Sequence, residues 1–531
     1  DVLWVRASRD YLTQPSAFLI NDTLETLSAE SDFVTQNTFL TSVYPYAKLQ
    51  QVSFENGDRL LVWVGDDPQR ADADRTALFY SFYIAEEHLW SIPAFVTPET
   101  VGADTADSDP VLKCIDDQAY LVWNDACAPL SGAAGSSATL QELQKDLLLW
   151  DIGYARFNRE AGAFTDHAVL SGKEHYADLF ADVTVIHKQP TVVFVSSGSG
   201  DTSLTEGDRS IYTAVRSDDS WEIQALDTPV SGIDTLAAAE EDNALVLYFT
   251  MQPDGKHDDL LSRELYRLQG SALTRLTNND VPDTAPMTEG SIVTWYQNGK
   301  ILKLDGTELA SVRGDARQYI CSASGLQAIL YADSAGLYAV FCDTDGLWGQ
   351  PICLAESVDG TFYDYSGVFL PDNALSVIAA FSDNTGSSAS LFCYDVKAQC
   401  DLKVTDVSYN PYSLAENGTL CLTLDVANEG MLASQYCKIN LYDGSTLLSS
   451  CYDVTPVLSG SAAVLQAECP LQSTPPAQIR IEVLPEDHKD VNQENNLFIC
   501  DLSCSTDLSL EDMHCQLVSS KDGNFTAVTV R

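Results

Sequence analysis

One stretch, Leu326 to Leu354, shows the unit from which most of the chain is built. An apolar run ends on the aromatic Tyr331, a polar turn follows, and a second run covers Leu337 to Phe341. After the acidic turn at Asp343 to Gly346, a third run is expected from Leu347-Trp348. Short runs rich in β-branched and aromatic residues, separated by Asp, Gly and Ser, are typical of antiparallel strands joined by hairpins.

The same unit recurs along the first 400 residues. Three apolar residues followed by an aromatic one end at Trp63, Trp123, Phe194, Tyr248, Trp295, Tyr331 and, in weaker form, Phe381. A single sheet of this kind has two bare faces and needs similar neighbours. Residues 1–400 are therefore predicted to form a seven-bladed β-propeller. Residues 1–46 do not fit the unit, and part of them is expected to complete the last blade, because closing the ring removes exposed sheet edges.

The pattern changes after Cys400. Seven short, alternating, turn-separated runs follow within residues 401–502, which predicts an Ig-like β-sandwich. In one of these runs Cys437 shares the face of Ile439 and Leu441, as a small buried hydrophobic residue would. Residues 503–531 look like the truncated start of a further sandwich repeat or a C-terminal hairpin. The predicted fold class is all-β, with a seven-bladed β-propeller followed by an Ig-like β-sandwich.

Four short motifs in the C-terminal region carry a family resemblance: Asp401-Leu402, Val426 to Gly430, Leu441 to Gly444, and Asn492 to Asn496. On these motifs, residues 401–502 resemble the bacterial cell-adhesion-related domain family, CARDB. The resemblance implies an Ig-like sandwich of the kind found in exported multidomain bacterial proteins, and it implies no catalytic residue. The first 400 residues resemble TolB-type and WD40-like propellers at the level of blade architecture alone.

The charge of the chain limits its partners. There are 77 acidic and 29 basic residues, for a net charge of −48, and such a field repels nucleic acid and anionic lipid surfaces. No apolar run approaches the roughly 18 residues of a membrane span. The 14 cysteines include no C-x-x-C pair, so no zinc ribbon or redox motif is indicated. Disulfide pairing and oligomeric state are left open.

Four aromatic residues at the repeated position are candidates for ligand binding. Their rings could line a sugar-binding funnel by stacking: Trp63, Trp123, Trp295 and Tyr331. Their regular place in each unit favours packing between blades as the alternative.

An acidic loop between two predicted strands is a weak candidate for Ca²⁺ binding. Its carboxylates belong to Asp66, Asp67, Asp72 and Asp74, and clustered carboxylate oxygens suit Ca²⁺. The loop lacks a Gly and a bidentate Glu at fixed offsets, so a plain solvated loop is the favoured alternative. No other cofactor is expected.

The sequence contains no G-x-S-x-G, H-E-x-x-H or phosphate-binding glycine motif. The function predicted first is a non-catalytic, exported binding or display module at a bacterial surface or in a secreted protein. It would recognise an extracellular glycan or protein through the loop-rich propeller face. The alternatives are a propeller enzyme acting on glycans and a purely structural spacer. Paired carboxylates for glycoside hydrolysis can converge in a propeller without any signal in their sequence spacing.

Overall fold

The structure is a computed structural model, and it is all-β. It describes residues 34–44, 47–97, 105–131, 145–171, 176–197, 209–217, 220–230, 233, 235–253, 262–289, 292–311, 317–322, 324–343, 346–383, 389–397, 399–410, 418–471, 476–486, 490–502, 513–520 and 523–530. Helical structure in the described part is limited to short pieces such as the 3₁₀ turn Asp72–Asp74 and residues 145–147. No helix within these ranges is long and apolar enough to span a bilayer.

The first strand, β1 (Val34–Val43), belongs to the last of seven antiparallel sheets. The first three sheets are formed by β2 (Gln50–Ser53), β3 (Arg59–Asp66), β4 (Thr76–Ile84) and β5 (Leu89–Trp90), with β6 (Ala94–Phe95) also on β4; by β7 (Asp107–Ile115), β8 (Gln118–Ala126), β9 (Trp150–Asn158) and β10 (Ala163–Leu170); and by β11 (Asp178–Ile186), β12 (Gln189–Ser197), β13 (Arg209–Ser217) and β14 (Ser220–Val230).

The remaining four sheets have the same up-and-down order. They are formed by β15 (Leu236–Glu241), β16 (Ala244–Met251), β17 (Glu264–Gln269) and β18 (Ala272–Arg275); by β19 (Asp283–Glu289), β20 (Ile292–Gln297), β21 (Lys300–Lys303) and β22 (Glu308–Ser311); by β23 (Arg317–Cys321), β24 (Gln327–Ala332), β25 (Gly336–Cys342) and β26 (Ile352–Glu356); and by β27 (Gly360–Phe369), β28 (Leu375–Asp383), β29 (Ala389–Val396) and β1. The prediction of an all-β chain built from antiparallel sheets is confirmed.

The first strands of the seven sheets contact one another in a closed ring. Each contacts the next in chain order, from β2 through β7, β11, β15, β19 and β23 to β27, and β27 contacts β2. The arrangement is propeller-like, with the second, third and fourth strands stepping outward from the ring. β1 pairs with β29 as the outermost strand of the seventh sheet, where Val34 faces Val396.

Two acids, the half-buried Asp364 and the buried Asp182, join consecutive sheets at this ring. Asp364 accepts a hydrogen bond from the Leu49 amide over 2.7 Å, which links the seventh sheet to the first. Asp182 does the same for the Ala238 amide over 2.7 Å, between the third and fourth sheets. The other oxygen of each carboxyl accepts from the amide that follows it in the chain. The acids thereby satisfy edge amides that no strand pairs.

One predicted strand start is wrong. A third run was expected from Leu347-Trp348, but the strand β26 begins at Ile352, and Trp348 forms only an isolated bridge with Cys342. The intervening residues are used elsewhere, because the Gln350 amide donates to the carbonyl oxygen of Ser459 over 2.7 Å.

The C-terminal strands form two sheets around one core. The strands are β30 (Leu402–Tyr409), β31 (Thr419–Asn428), β32 (Cys437–Asp443), β33 (Thr446–Asp453), β34 (Ala462–Pro470), β35 (Gln478–Pro485) and β36 (Leu497–Asp501). One sheet has the order β30-β31-β34 and the other β33-β32-β35-β36. Cys437, Ile439 and Leu441 are all buried in the core between them. A separate hairpin follows, β37 (Met513–Ser520) and β38 (Gly523–Val530).

The C-terminal sheets dock on the sixth sheet. Besides the Gln350–Ser459 bond, the Gln435 side chain donates to Asp343 over 3.0 Å. Met431 is buried in the core of the sixth and seventh sheets. A Cβ added at Gly349 would meet the Ser459 carbonyl oxygen at 2.2 Å, so only glycine allows this close approach. Among the cysteines whose side chains the structure describes, free thiols are present at Cys114, Cys127, Cys342, Cys353, Cys393, Cys451, Cys469 and Cys500.

Candidate functional site

Three aspartates lie side by side on neighbouring strands of the second sheet. Asp107 on β7 is the register partner of Asp125 on β8, and Asp125 is the partner of Asp151 on β9. Residues directly opposite in an antiparallel pair project to the same face, with Cβ atoms about 4.5–5.5 Å apart. The three carboxyl groups therefore form one line, which we call the carboxyl row.

The row lies near one end of the strands β7, β8 and β9, on one side of the propeller-like ring. Asp107 is the first residue of β7, Asp125 is the second-to-last of β8, and Asp151 is the second of β9. In the up-and-down sheets this side carries the connections between second and third strands. A bulge follows Asp107, with left-handed φ at Asp109, and equivalent bulges follow the first residues of β11 and β19.

Asp107 is fully engaged. Its Oδ2 lies 3.1 Å from Arg70, which comes from the first sheet, and its Oδ1 accepts from the indole of Trp123 over 2.8 Å. Arg70 also donates to the carbonyl oxygens of Thr76 and Thr105. Burial raises the pKa of Asp107 to about 6, against the opposing effect of the Arg70 charge. Asp107 thus holds a neighbouring sheet and a tryptophan in place.

Asp125, at the centre of the row, has no such partners. Its side chain is 9% exposed, and it accepts no hydrogen bond from any residue that the structure describes. Burial raises its pKa to about 8, and the charges of Asp107 and Asp151 add to this effect. A buried carboxyl between two others is most stable when protonated, because like charges at this spacing disfavour ionisation. Asp125 therefore keeps its proton to a higher pH than Asp107 does.

Asp151 is the most accessible member of the row. It is partly buried, and the Ser171 hydroxyl and the Cys127 thiol are donors close to its carboxyl group. Burial raises its pKa, and these two donors act in the opposite direction. The row thus places a protonated acid beside a carboxyl group that is stabilised by donors.

The fifth sheet offers an internal comparison. Asp283, the first residue of β19, accepts from the Trp295 indole over 3.0 Å, as Asp107 does from Trp123. Its register partner is Gln297, which donates to Asp283 over 2.6 Å. The same position in the second sheet is Asp125. An amide satisfies the buried acid in one sheet, whereas the other sheet has a second acid and no donor.

The four aromatic candidates for ligand binding are buried. Trp63, Trp123, Trp295 and Tyr331 are between 3% and 5% exposed. Trp63 stacks on Phe79 at 6.0 Å within its own sheet, and such a ring has no free face for a sugar. The structure places the four residues in the packing of the sheets and brings only Trp123 to the carboxyl row.

The acidic-loop candidates for Ca²⁺ have other partners. Asp66 pairs with Arg75, Asp67 lies 3.5 Å from Arg70, and Asp74 accepts from the Leu130 amide over 3.0 Å. Asp72 lies in the 3₁₀ turn, and its side chain is outside the described part. Within the described residues, no group of three His, Cys, Asp or Glu side chains is arranged to hold a metal ion.

The sequence did not predict Asp107, Asp125 or Asp151 as site residues. The signal was weak: Asp125 follows the repeated aromatic by two residues, where the fifth sheet has Gln297. Asp107, Asp125 and Asp151 are separated along the chain by a hairpin and by a long connection. Only the strand register brings them together.

The described residues define an all-β, propeller-like protein with a buried carboxyl row at one edge. No family model matches the chain, and no curated protein matches it. Among solved structures, the Trypanosoma rangeli sialidase is 9% identical, with coverage of 84% of this chain and 83% of its own and a TM-score of 0.39. The Penicillium chrysogenum alpha-L-arabinanase complexed with arabinobiose is 13% identical, with coverage of 67% and 98% and a TM-score of 0.39. A Dyadobacter fermentans protein of unknown function is 10% identical, with coverage of 68% and 99% and a TM-score of 0.39.

These comparisons correct one prediction. The non-catalytic binding or display module is wrong as the first choice, because the similar structures named by activity are a sialidase and an arabinanase. A glycan-acting enzyme was the stated alternative. At TM-scores of 0.39 the similarity gives no residue-by-residue correspondence, so the chemistry of this chain has to come from its own carboxyl row.

Proposed function

We propose that the seven sheets form a seven-bladed β-propeller and that residues 401–502 form an Ig-like sandwich of the CARDB type. The closed ring of first strands and the outward order of the other strands support the propeller. The two C-terminal sheets around one core support the sandwich.

We propose that the chain is a glycoside hydrolase whose catalytic groups belong to the carboxyl row. The observation that carries this is Asp125, a buried acid with no hydrogen-bond partner among the described residues, between two other carboxyl groups. A carboxyl group without a protein partner is available to a bound molecule, and in its protonated form it can donate to an oxygen such as that of a glycosidic bond.

The chemistry of the row suits hydrolysis of such a bond. Glycoside hydrolases use two carboxyl groups, one protonated to donate to the leaving oxygen and one ionised. An acid keeps its proton at neutral pH when burial and like charges raise its pKa. Asp125 meets this requirement with a pKa of about 8. Asp151 is partly exposed, and the nearby Ser171 hydroxyl and Cys127 thiol favour its ionised form.

The partner in this proposal is an extracellular glycan, and the corresponding location is outside the cell or on its surface. The excess of acidic residues keeps such a protein soluble.

The test uses the full chain with a panel of aryl glycosides and unmodified polysaccharides. Release of the aryl group and of reducing ends is measured for the wild type and for Asp125→Asn. The wild type is expected to turn over at least one substrate, and Asp125→Asn to lower kcat/KM on unactivated substrates by about 100-fold or more. Asp166→Asn is the matched control, since Asp166 is on β10 of the same sheet and pairs with Arg156 outside the row. A wild type that is inactive on the whole panel overturns the proposal.

A further inference from the structure

The three carboxyl groups of the row are not equivalent, and their differences define the reaction course. Resting on the proposed hydrolase function, we infer that Asp125 and Asp151 form the catalytic pair and that hydrolysis retains the configuration of the anomeric carbon. Asp125 is the acid and base, and Asp151 is the nucleophile. Asp107 is a positioning residue: Arg70 and Trp123 hold it in place beside Asp125.

Asp107 is excluded as a reacting group by its contacts. One of its oxygens is taken by Arg70 and the other by Trp123. It is 2% exposed, so neither a substrate carbon nor an attacking water reaches it. Asp151 lies at the other end of the row. It is partly exposed to solvent, whereas Asp107 is not.

The separation of the pair points to retention. Retaining glycosidases hold their two carboxyl groups about 5–5.5 Å apart, and inverting enzymes about 6.5–9.5 Å, to leave room for a water. Asp125 and Asp151 are direct register partners on adjacent strands, where Cβ atoms are about 4.5–5.5 Å apart. Asp107 and Asp151 are two strands apart, about 9–10 Å at the strand spacing of a sheet. Of the two pairs that include Asp151, the pair with Asp125 therefore has the shorter separation, which is the one that suits a retaining enzyme.

The reaction then proceeds in two balanced steps. An Oδ atom of Asp151 attacks the anomeric carbon, the bond to the leaving oxygen breaks, and Asp125 gives its proton to that oxygen. The product is a glycosyl ester on Asp151 and an ionised Asp125. A water then attacks the same carbon, its proton passes to Asp125, and the ester bond to Asp151 breaks. Two displacements restore the starting configuration.

The wild-type chain tests this directly with a 2,4-dinitrophenyl glycoside that it turns over. Proton NMR during the first minutes should show the same anomer in the released sugar as in the substrate. A 2-deoxy-2-fluoro analogue should label the chain, and peptide mass spectrometry should place the label on Asp151. Release of the opposite anomer, or a label on another residue, overturns the inference and leaves the hydrolase proposal standing.

A variant gives a readout that a structural role would not produce. In Asp125→Asn the base that activates the attacking water is missing. Azide is a nucleophile that needs no base, so added azide should speed turnover of the activated substrate and give a glycosyl azide of retained configuration. If azide does not accelerate turnover by Asp125→Asn, the acid and base role of Asp125 is overturned. Absence of any turnover by the wild type overturns both this inference and the hydrolase proposal.

Discussion

The side-chain nitrogen of Gln297 lies 2.6 Å from Oδ1 of Asp283 and donates a hydrogen bond to it, whereas no hydrogen bond joins Asp125 to Asp107 among the described residues. Both pairs occupy the same register position in their sheets, next to a tryptophan that also donates to the first acid. The second sheet thus keeps a pair that becomes repulsive once both acids are ionised, where the fifth sheet shows that a hydrogen-bonded pair fits. Such a departure from the stable arrangement is typical of functional sites.

Asp125→Asn should stabilise the protein at alkaline pH. The folded-state pKa of Asp125 is about 8, above its ordinary 3.8, so its stabilising protonated form is complete below pH 3.8 and is lost as the pH rises through 8. Asparagine stays neutral and can donate to a neighbouring carboxyl. We expect a gain of about 1–3 kcal/mol in the free energy of unfolding at pH 9 and little change at pH 4. Denaturant unfolding at both pH values measures it.

The matched variant Gln297→Glu should lower the free energy of unfolding, because it replaces the donor to Asp283 in the fifth sheet with a second acid. It should lose stability at pH 9 and lose less at pH 4. An Asp125→Asn variant less stable than the wild type at pH 9 would show that the row is not under repulsion.

Gly153→Ala should destabilise the second sheet. A Cβ at this position would meet the Trp123 ring at 2.1 Å, so the ring has to move from its place, where it donates to Asp107. Overpacking of this kind costs about 1–3 kcal/mol. Thermal unfolding should show a lower Tm, and the double variant with Trp123→Leu should lose less than the sum of the two single changes. Strict additivity would argue against the contact.

Asp364→Ala should weaken the closure of the ring. It leaves the buried amides of Leu49 and Tyr365 without their acceptor, at a cost of about 1–3 kcal/mol for each unsatisfied group. Asp364→Asn keeps one acceptor oxygen and should lose less. Hydrogen exchange followed by mass spectrometry should show faster exchange in β2 and β27. Unchanged exchange there would mean that the carboxyl does not hold the two sheets together.

The pH dependence of Asp364 has a definite sign. Burial raises its pKa to about 6, above the ordinary 3.8. The stability that its protonated form contributes is present below pH 3.8 and is lost as the pH rises through 6. The loss of wild-type stability between pH 4 and 6.5 should therefore be smaller in Asp364→Asn, as measured by denaturant unfolding.

Neutral sugars should be better substrates than acidic ones. Arg70, the described cation at the row, has its guanidinium engaged by Asp107 and two carbonyl oxygens, and the chain carries a net charge of −48. A carboxylate on the sugar would face repulsion without a free partner. We expect kcat/KM for an aryl glucuronide to be at least about tenfold below that of the matched aryl glucoside. A preference for the uronide would contradict this view of the site.

The sequence was informative where one residue type repeats at one structural position. The aromatic residues that end second strands, such as Trp63 and Tyr331, are recognisable because each sheet needs the same ring at the same place. The start of β26 was missed, since Gln350 is held by Ser459, a residue more than one hundred positions away. The carboxyl row was missed for a related reason. Nothing about Asp107, Asp125 or Asp151 is unusual until the register aligns them.

The pairing of β1 with β29 has a consequence for how the protein is made. A ribosome releases β1 before any of the seven sheets exists, yet the strand's partner is among the last parts of the ring to be synthesised. Until then β1 has an unpaired edge that other chains could capture, and such long-range pairings form slowly. Expression at lower temperature or with a holdase chaperone should therefore raise the yield of soluble chain.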